Sequence, residues 1–90
     1  MTPRRSLVIP CYNEEGNLPG LFASCDEAFS GGDVEVVFVD NGSRDGSAEL
    51  FPRLCAGRDY ARVVTVAVNQ GYGYGILSGL RAARGDVLGW

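Results

Sequence analysis

Acidic and aromatic side chains follow two apolar runs of the sequence, and their types suit the binding of a nucleobase. Tyr12 and Glu14 follow Pro10 at the end of the first run, and Asp40 is the last residue of the second. A carboxylate in an apolar run is costly to bury without a partner, and the ring N–H of a pyrimidine or guanine base can be that partner. The pattern predicts that Asp40 binds the base and that Tyr12 stacks on it or packs along its edge.

Turn and helix-capping chemistry is a second interpretation of the same segments, and the sequence alone leaves both open. The acidic side chains of segment 13–15 suit the start of a helix, where the dipole is positive. In segment 41–46, Ser43 or Asp45 could accept the free N–H groups of a following helix. The glycines of segment 69–75 provide either a turn into a helix or a close backbone approach to substrate.

Motifs for several other phosphate and metal sites are absent from the sequence. A dinucleotide fold needs G-x-G-x-x-G directly after its first strand, whereas a proline, an aromatic residue and two carboxylates follow this one. There is no G-x-x-x-x-G-K-[ST] loop, and a calcium loop would need an oxygen ligand where Gly42 stands. Cys11, Cys25 and Cys55 are widely spaced and no histidine accompanies them, which excludes the usual zinc patterns and disfavours disulfides.

Charge and hydropathy narrow the possible partners further. The 90 residues carry eight basic and eleven acidic side chains, so the net charge is −3, which disfavours a nucleic-acid partner. The densest apolar run, 34–39, is far shorter than the ~20 residues of a membrane span. Pro10 ends the one run that resembles a signal peptide. We therefore expect no transmembrane segment and, with reduced thiols, a cytoplasmic protein.

Apolar periodicity predicts the elements that position these residues. Four short runs rich in valine and isoleucine are typical of strands covered on both faces of a parallel sheet, and the three segments between them have helical spacing. The strands are expected at 6–10, 34–40, 62–68 and 87–90, and the helices at 18–29, about 46–56 and about 72–84. Gly31 and Gly32 should end the first helix, and Pro52 should kink or shorten the second.

The alternation predicts an α/β fold, β-α-β-α-β-α-β, with a parallel sheet and helices on both faces. Ligands of such sheets bind beyond the carboxyl ends of the strands, where the polar segments described above would lie. Gly73, Gly75 and Gly79 weaken the third helix, so we expect close backbone approach to a strand or a ligand there.

Three blocks of the sequence, in order, resemble the family 2 glycosyltransferases of the GT-A fold. Segment 8–15, V-I-P-C-Y-N-E-E, is similar to the family's V-I-P-x-Y-N-E-E opening. Segment 37–47, V-F-V-D-N-G-S-R-D-G-S, resembles its V-V-D-D-G-S-x-D-G-T segment. A third block, which begins at Asn69, resembles N-x-G-x-G followed by G-x-x-x-A-x-G-D. The blocks span nearly the whole chain and are most similar to the branch of dolichyl-phosphate mannosyl and polyprenyl-phosphate sugar transferases.

The resemblance implies an inverting transferase that moves a sugar from a nucleotide-diphosphate donor to a polyprenyl or dolichyl phosphate. It also implies Mg²⁺ or Mn²⁺ as cofactor and a peripheral position at the inner face of the membrane. By position, the nucleotide-sugar pocket would be lined by Pro10, Tyr12, Asn13, Glu14, Val39 and Asp40. Asn41 departs from the family's pattern, which usually has a second aspartate there, whereas Asp40 matches the first.

The family's D-x-D metal motif follows the fourth strand, so we expect it beyond Trp90 together with the catalytic base. No carboxylate pair in the sequence replaces it. We therefore expect residues 1–90 to be the N-terminal nucleotide-binding portion of one catalytic domain, to bind no metal and to be inactive alone. A non-catalytic α/β binding module is the alternative. A phosphoacceptor receiver-type domain is weakened by the lack of an acidic cluster and of any lysine.

Overall fold

Strands and helices alternate along the chain as the sequence predicts. The structure is a computed structural model that describes residues 5–29 and 32–89. Its elements are β1 (Arg5–Cys11), α1 (Leu18–Phe29), β2 (Val34–Asn41), α2 (Ser47–Cys55), β3 (Ala61–Val66), α3 (Tyr72–Ala82) and β4 (Asp86–Gly89). The expected helix end at Gly31 and the expected strand end at Trp90 lie outside the described residues.

Most predicted boundaries lie within one residue of the observed ones, but the ends of β3 and α3 are wrong, and each has a physical reason. β3 ends at Val66, two residues early, because Val66 pairs with Asn41 and β2 offers no partner beyond it. α3 ends at Ala82, since the N–H of Arg84 donates to the Glu35 carboxylate instead of a helical carbonyl. α2 lies within one residue of its expected bounds at both ends. It continues through Pro52 as a nine-residue helix, and Gly46 and Ala56 are its caps.

The four strands form one parallel sheet in the order β3-β2-β1-β4. β2 lies inside the sheet, and every one of its residues after Val34 is buried. The chain moves outward from β1 to β3 and then crosses back to β4, which places α3 on the opposite face from α1 and α2. Within the described residues, no helix is long and apolar enough to cross a membrane.

Aromatic rings fill the face of the sheet that α1 and α2 cover. Phe22 of α1 stacks on Phe38 of β2 with their ring centroids 4.2 Å apart. Phe51 of α2 lies tilted against both rings, with centroid distances of 6.3 and 6.0 Å. All three side chains are almost fully buried, so one aromatic cluster joins both helices to the middle of the sheet.

On the other face, α3 lies directly on the valines of β1 and β2. Val8 and Val39 are fully buried there. A Cβ atom at Gly79 would lie 2.9 Å from Val39 Cγ2 and closer still to Val8 Cγ1, whereas one at Gly73 would meet nothing within 4 Å. The expected close approach of α3 is therefore confirmed at Gly79, where only glycine lets the helix reach the sheet.

A buried ionic cluster holds the amino ends of the strands together. The Glu35 carboxylate accepts the hydroxyl of Ser6 at 2.7 Å and pairs with Arg62 at 3.4 Å and Arg84 at 3.3 Å. Burial alone would raise the pKa of Glu35, but the hydrogen bonds from Arg84 and Ser6 outweigh it and hold that pKa below its ordinary value. The N–H of Gly85 donates to Ser6 Oγ at 3.0 Å, so the cluster also fixes the start of β4.

We expect Gly79→Ala to lower the free energy of unfolding by about 1–3 kcal/mol, because the new methyl group collides with Val8 and Val39. Gly73→Ala is the matched control in the same helix. It should raise that free energy by about 0.5–1 kcal/mol, since its methyl group meets open space and alanine favours the helix. Denaturant unfolding followed by circular dichroism measures both variants, and equal destabilisation by the two would contradict the close approach.

We also expect Glu35→Gln to lower the free energy of unfolding by about 1–3 kcal/mol at neutral pH, because it removes a buried hydrogen-bonded charge. The folded-state pKa of Glu35 lies below the ordinary 4.5, so the carboxylate stabilises the fold above that value. This contribution is lost as the pH falls through the lower folded-state pKa. Denaturant unfolding should therefore show the gap in unfolding free energy between wild type and variant shrinking as the pH falls below the ordinary pKa of 4.5.

Glu27→Gln on the exposed side of α1 is the control for that experiment. It makes the same chemical change at a surface position, so its effect should stay within about 0.5 kcal/mol. A gap between Glu35→Gln and wild type that does not change with pH would contradict the role of the ionised carboxylate.

Candidate functional site

The loops that follow β1 and β2 lie side by side and are joined by hydrogen bonds. The N–H of Asn13 donates to Ser43 Oγ at 3.0 Å, and Asn13 Oδ1 accepts the N–H of Arg44 at 2.8 Å. Asn13 has a φ of 51°, a left-handed conformation that asparagine tolerates better than most residues. Asn13 therefore serves as a link between two loops as well as a residue of the expected pocket.

A second pair of residues repeats this link two positions further along. The N–H of Glu15 donates to Asp45 Oδ2 at 3.2 Å, and Glu15 Oε1 accepts the N–H of Gly46 at 3.1 Å. Asp45 Oδ1 also accepts the N–H of Ser47, the first residue of α2, at 2.9 Å. The capping role considered for Asp45 is thus confirmed, whereas Ser43 binds the neighbouring loop.

Glu14 organises the turn that leads into α1. Its backbone oxygen accepts the N–H groups of Asn17 and Leu18, and its Oε2 accepts the side-chain amide of Asn17 at 2.8 Å. The Glu14 backbone therefore begins the turn that precedes α1, but neither acidic side chain lies in the first turn of the helix, which begins only at Leu18. The Glu15 carboxylate reaches the loop after β2 instead.

Asp40 lies near the end of β2 and is almost completely enclosed, with 2% of its surface exposed. Its Oδ1 accepts the N–H of Ser43 at 3.2 Å, so the loop itself supplies one partner for the buried carboxylate. Among the residues that the structure describes, Asp40 forms no ion pair. Its charge is therefore not neutralised by an arginine.

The neighbourhood of Asp40 has a negative potential. Asp40 pairs in the sheet with Cys11 of β1. The pKa of the Cys11 thiol rises to about 12, chiefly because it is buried and then because of the charges of Glu14 and Asp40. A thiol with this pKa stays protonated and is no nucleophile. Negative potential favours the N–H groups of a base over the oxygens of a phosphate.

The remaining expected pocket residues lie at different depths. Tyr12 is 43% exposed immediately after β1, and Pro10 is half-buried at the end of that strand. Val39 is fully buried on the side of the sheet that α3 covers, where its side chain packs beneath Gly79. The structure thus brings Tyr12 to the same edge of the sheet as Asp40 and places the Val39 side chain in the core below it.

The loop after β3 packs onto the other two through contacts that the sequence analysis did not identify. Asn41 Nδ2 donates to the carbonyl of Gly71 at 3.1 Å, and a Cβ atom at Gly75 would lie 2.9 Å from that nitrogen. An ionised aspartate could not donate this bond, which gives a structural reason for the asparagine at 41. A Cβ atom at Gly42, whose φ is 73°, would collide with the backbone of Asn69.

We call the loops 12–17, 42–46 and 67–71 together the strand-end rim. Asn41 Oδ1 is buried beneath it without a hydrogen-bond partner. The described residues contain no group of three His, Cys, Asp or Glu side chains that could hold a metal ion. The residues present therefore do not form the Mg²⁺ or Mn²⁺ site that the resemblance implies.

Known proteins match the chain in both sequence and fold. The sequence model of a family described as Glycosyl transferase family 2 matches residues 6–90. A relative from Pseudomonas aeruginosa (strain LESB58), named undecaprenyl-phosphate 4-deoxy-4-formamido-L-arabinose transferase, is 47% identical over 89 residues, covering 92% of this chain and 25% of its own. A relative of the same name from Aeromonas hydrophila subsp. hydrophila is 40% identical, covering 92% of this chain and 26% of its own.

Solved structures show the same fold. S. aureus TarS matches 97% of this chain and 16% of its own, with a TM-score of 0.80 and 26% identity. The mannosyltransferase PcManGT from Pyrobaculum calidifontis, in complex with GDP-Man and Mn²⁺, matches 92% of this chain and 25% of its own, with a TM-score of 0.70 and 26% identity. The expected GT-A fold is confirmed, and the chain spans about a quarter of the length of the curated relatives.

We expect Asn13→Gly to loosen the link between the first two loops of the strand-end rim. Glycine tolerates the positive φ but removes the acceptor for the Arg44 N–H, so that amide should exchange with solvent about tenfold faster. Asn13→Asp keeps the Oδ1 acceptor and is the matched control, in which exchange should stay close to wild type. Amide hydrogen exchange measured by NMR gives both rates. Equal Arg44 exchange in all three proteins would show that the bond does not order the loop.

Proposed function

The chain belongs to glycosyl transferase family 2, and we propose that it forms the nucleotide-binding portion of an inverting sugar transferase. The donor is a nucleotide-diphosphate sugar, and the strand-end rim binds its nucleoside. The observation that carries this proposal is Asp40, a carboxylate buried at the end of β2 with no ion pair among the described residues. The family match favours this function over the binding module and the receiver-type domain.

In this proposal the carboxylate of Asp40 recognises the base. The N–H of Ser43 already donates to Asp40 Oδ1, so Asp40 Oδ2 is the atom that accepts the ring N–H of the base. The exposed ring of Tyr12 packs on the base, and Pro10 sets the direction in which the chain leaves β1. Asn13 and Glu14 contribute by holding the loop after β1 in place, while Val39 packs in the core beneath the nucleoside site. Because Glu14 and Asp40 repel phosphate oxygens, the base lies against them and the pyrophosphate lies away from them.

The acceptor in this proposal is a polyprenyl phosphate. Its support is the name of the relatives, which are undecaprenyl-phosphate sugar transferases at 40–47% identity. An acceptor of this kind keeps the enzyme at the membrane surface, and we place it on the cytoplasmic, inner face. The three free cysteines suit that reducing compartment.

In this proposal the divalent metal is held by residues beyond Trp90. PcManGT was solved with Mn²⁺, and Mg²⁺ or Mn²⁺ would neutralise the charge that develops on a leaving nucleoside diphosphate. We therefore propose that these 90 residues alone bind the nucleoside without transferring sugar.

We expect Asp40→Asn to weaken the binding of the preferred nucleoside diphosphate by about 1–3 kcal/mol, or roughly 5- to 150-fold. Asparagine keeps an oxygen for the Ser43 N–H, but an amide nitrogen replaces the oxygen that would accept the base N–H. Isothermal titration with UDP and GDP measures the affinity, and thermal unfolding checks that the loop bond has survived.

Asp33→Asn is the matched control. It makes the same chemical change at an exposed position just before β2, at the amino-terminal ends of the strands. Its affinity should equal that of the wild type. If Asp40→Asn folds normally and also binds both nucleotides as tightly as wild type, Asp40 is not part of the nucleoside site.

A further inference from the structure

The large exposed apolar side chains of the described residues are concentrated on one side of the molecule. Only four are exposed, and three of these are Val68 at 69%, Tyr74 at 39% and Leu77 at 43%. Tyr74 and Leu77 are followed at helical spacing by the exposed Arg81, so these three residues form one outward stripe of α3. We call Val68 and this stripe the α3 face.

A groove continues the α3 face toward the edge of the sheet. It has a volume of about 320 Å³ and lies between β3 and α3. Val64 and Val66 of β3 line it together with Val68, while Tyr74 and Ser78 line it from α3. β3 is the edge strand of the described sheet, so the groove lies at the border of the sheet.

The sequence around the α3 face differs in charge from the rest of the chain. Residues 60–85 contain three arginines and no acidic residue, whereas the remainder contains five arginines and all eleven acidic residues. The buried Glu35 carboxylate offsets part of the charge of Arg62 and Arg84. Arg81 is exposed, and it gives the stripe an outward positive charge in a protein whose net charge is negative.

We propose that the α3 face docks the protein on an anionic lipid bilayer. Aliphatic and aromatic side chains that flank an arginine are suited to the membrane interface, where apolar atoms enter the acyl boundary and the guanidinium binds phosphate. The face complements a negative surface, which repels the rest of the chain. This inference rests on the proposed lipid-phosphate acceptor and adds the surface that approaches the membrane.

Docking on this face would bring the strand-end rim close to the bilayer. Tyr74 lies in the first turn of α3, one residue from Gly75, which packs against Asn41 beneath the rim. The nucleoside site and the lipid-facing stripe are therefore adjacent, and a sugar held at the rim would lie near acceptors in the membrane.

The test is sedimentation of the full 90-residue chain with vesicles at about 0.1 M ionic strength. Vesicles of phosphatidylcholine with about one-third phosphatidylglycerol are compared with phosphatidylcholine alone. We expect stronger partitioning onto the anionic vesicles. Arg81→Glu should lower it about fivefold or more, and Leu77→Ser should lower it about tenfold.

Arg53→Glu is the matched control, because Arg53 is an exposed arginine of α2 on the opposite face of the sheet. It changes the net charge equally, so its partitioning should stay well above that of Arg81→Glu. Equal losses in the two variants, or equal partitioning onto both vesicle types, would overturn the proposal. A concentration-dependent dimer that Leu77→Ser dissociates would also overturn it, by assigning the α3 face to a second copy of the chain.

Nucleotide titration of the same proteins separates this inference from the proposed function. If the chain binds UDP or GDP but ignores anionic vesicles, the docking surface is wrong and the nucleoside site stands. If Arg81→Glu loses vesicle binding while keeping nucleotide affinity, the docking surface is supported on its own.

Discussion

The parallel pairing of β1 with β2 is the constraint on which the strand-end rim depends. Residues of the two strands pair at a constant separation of 29 positions, from Arg5 with Val34 to Cys11 with Asp40. The loops beyond continue side by side, and their hydrogen bonds join residues 30 or 31 positions apart. A slip of the register by one residue would turn Asp40 to the other face and separate every donor in one loop from its acceptor in the other.

Charge divides the molecule into regions with different chemistry. Glu14 and Asp40 make the rim negative and leave it suited to N–H donors, while the exposed Arg81 gives the neighbouring α3 face a positive charge. The aromatic cluster of Phe22, Phe38 and Phe51 carries no charge and joins α1 and α2 to the face of the sheet that lies opposite α3. The sheet therefore serves as a rigid spacer that holds surfaces of opposite sign in fixed positions.

Much of the fold could be predicted from local patterns, because buried parallel strands and amphipathic helices each have their own periodicity. The end of β3 could not, since it depends on where β2 stops pairing at Asn41. The position of Asp40 at the strand end followed from its place after an apolar run. The hydrogen bonds of Asn13 and Glu15 to the loop after β2 could not be predicted from the sequence. Helix capping and bonding between loops use the same residue types, and only the pairing register of β1 and β2 distinguishes them. The departure of Asn41 from the family pattern indicated that this residue has a particular role. Its hydrogen-bond partner, the carbonyl of Gly71, could be identified only from the fold.

The cluster around Glu35 and the strand-end rim occupy opposite ends of the same strands. One end ties Ser6, Arg62 and Arg84 to a single carboxylate, and the other carries the loops of the strand-end rim, which are bonded to one another. Residues at the rim can therefore be exchanged without loosening the ties that keep the sheet intact. Selection for a new ligand and selection for a folded chain act on separate ends of this architecture, which allows specificity to diverge while the scaffold is inherited unchanged.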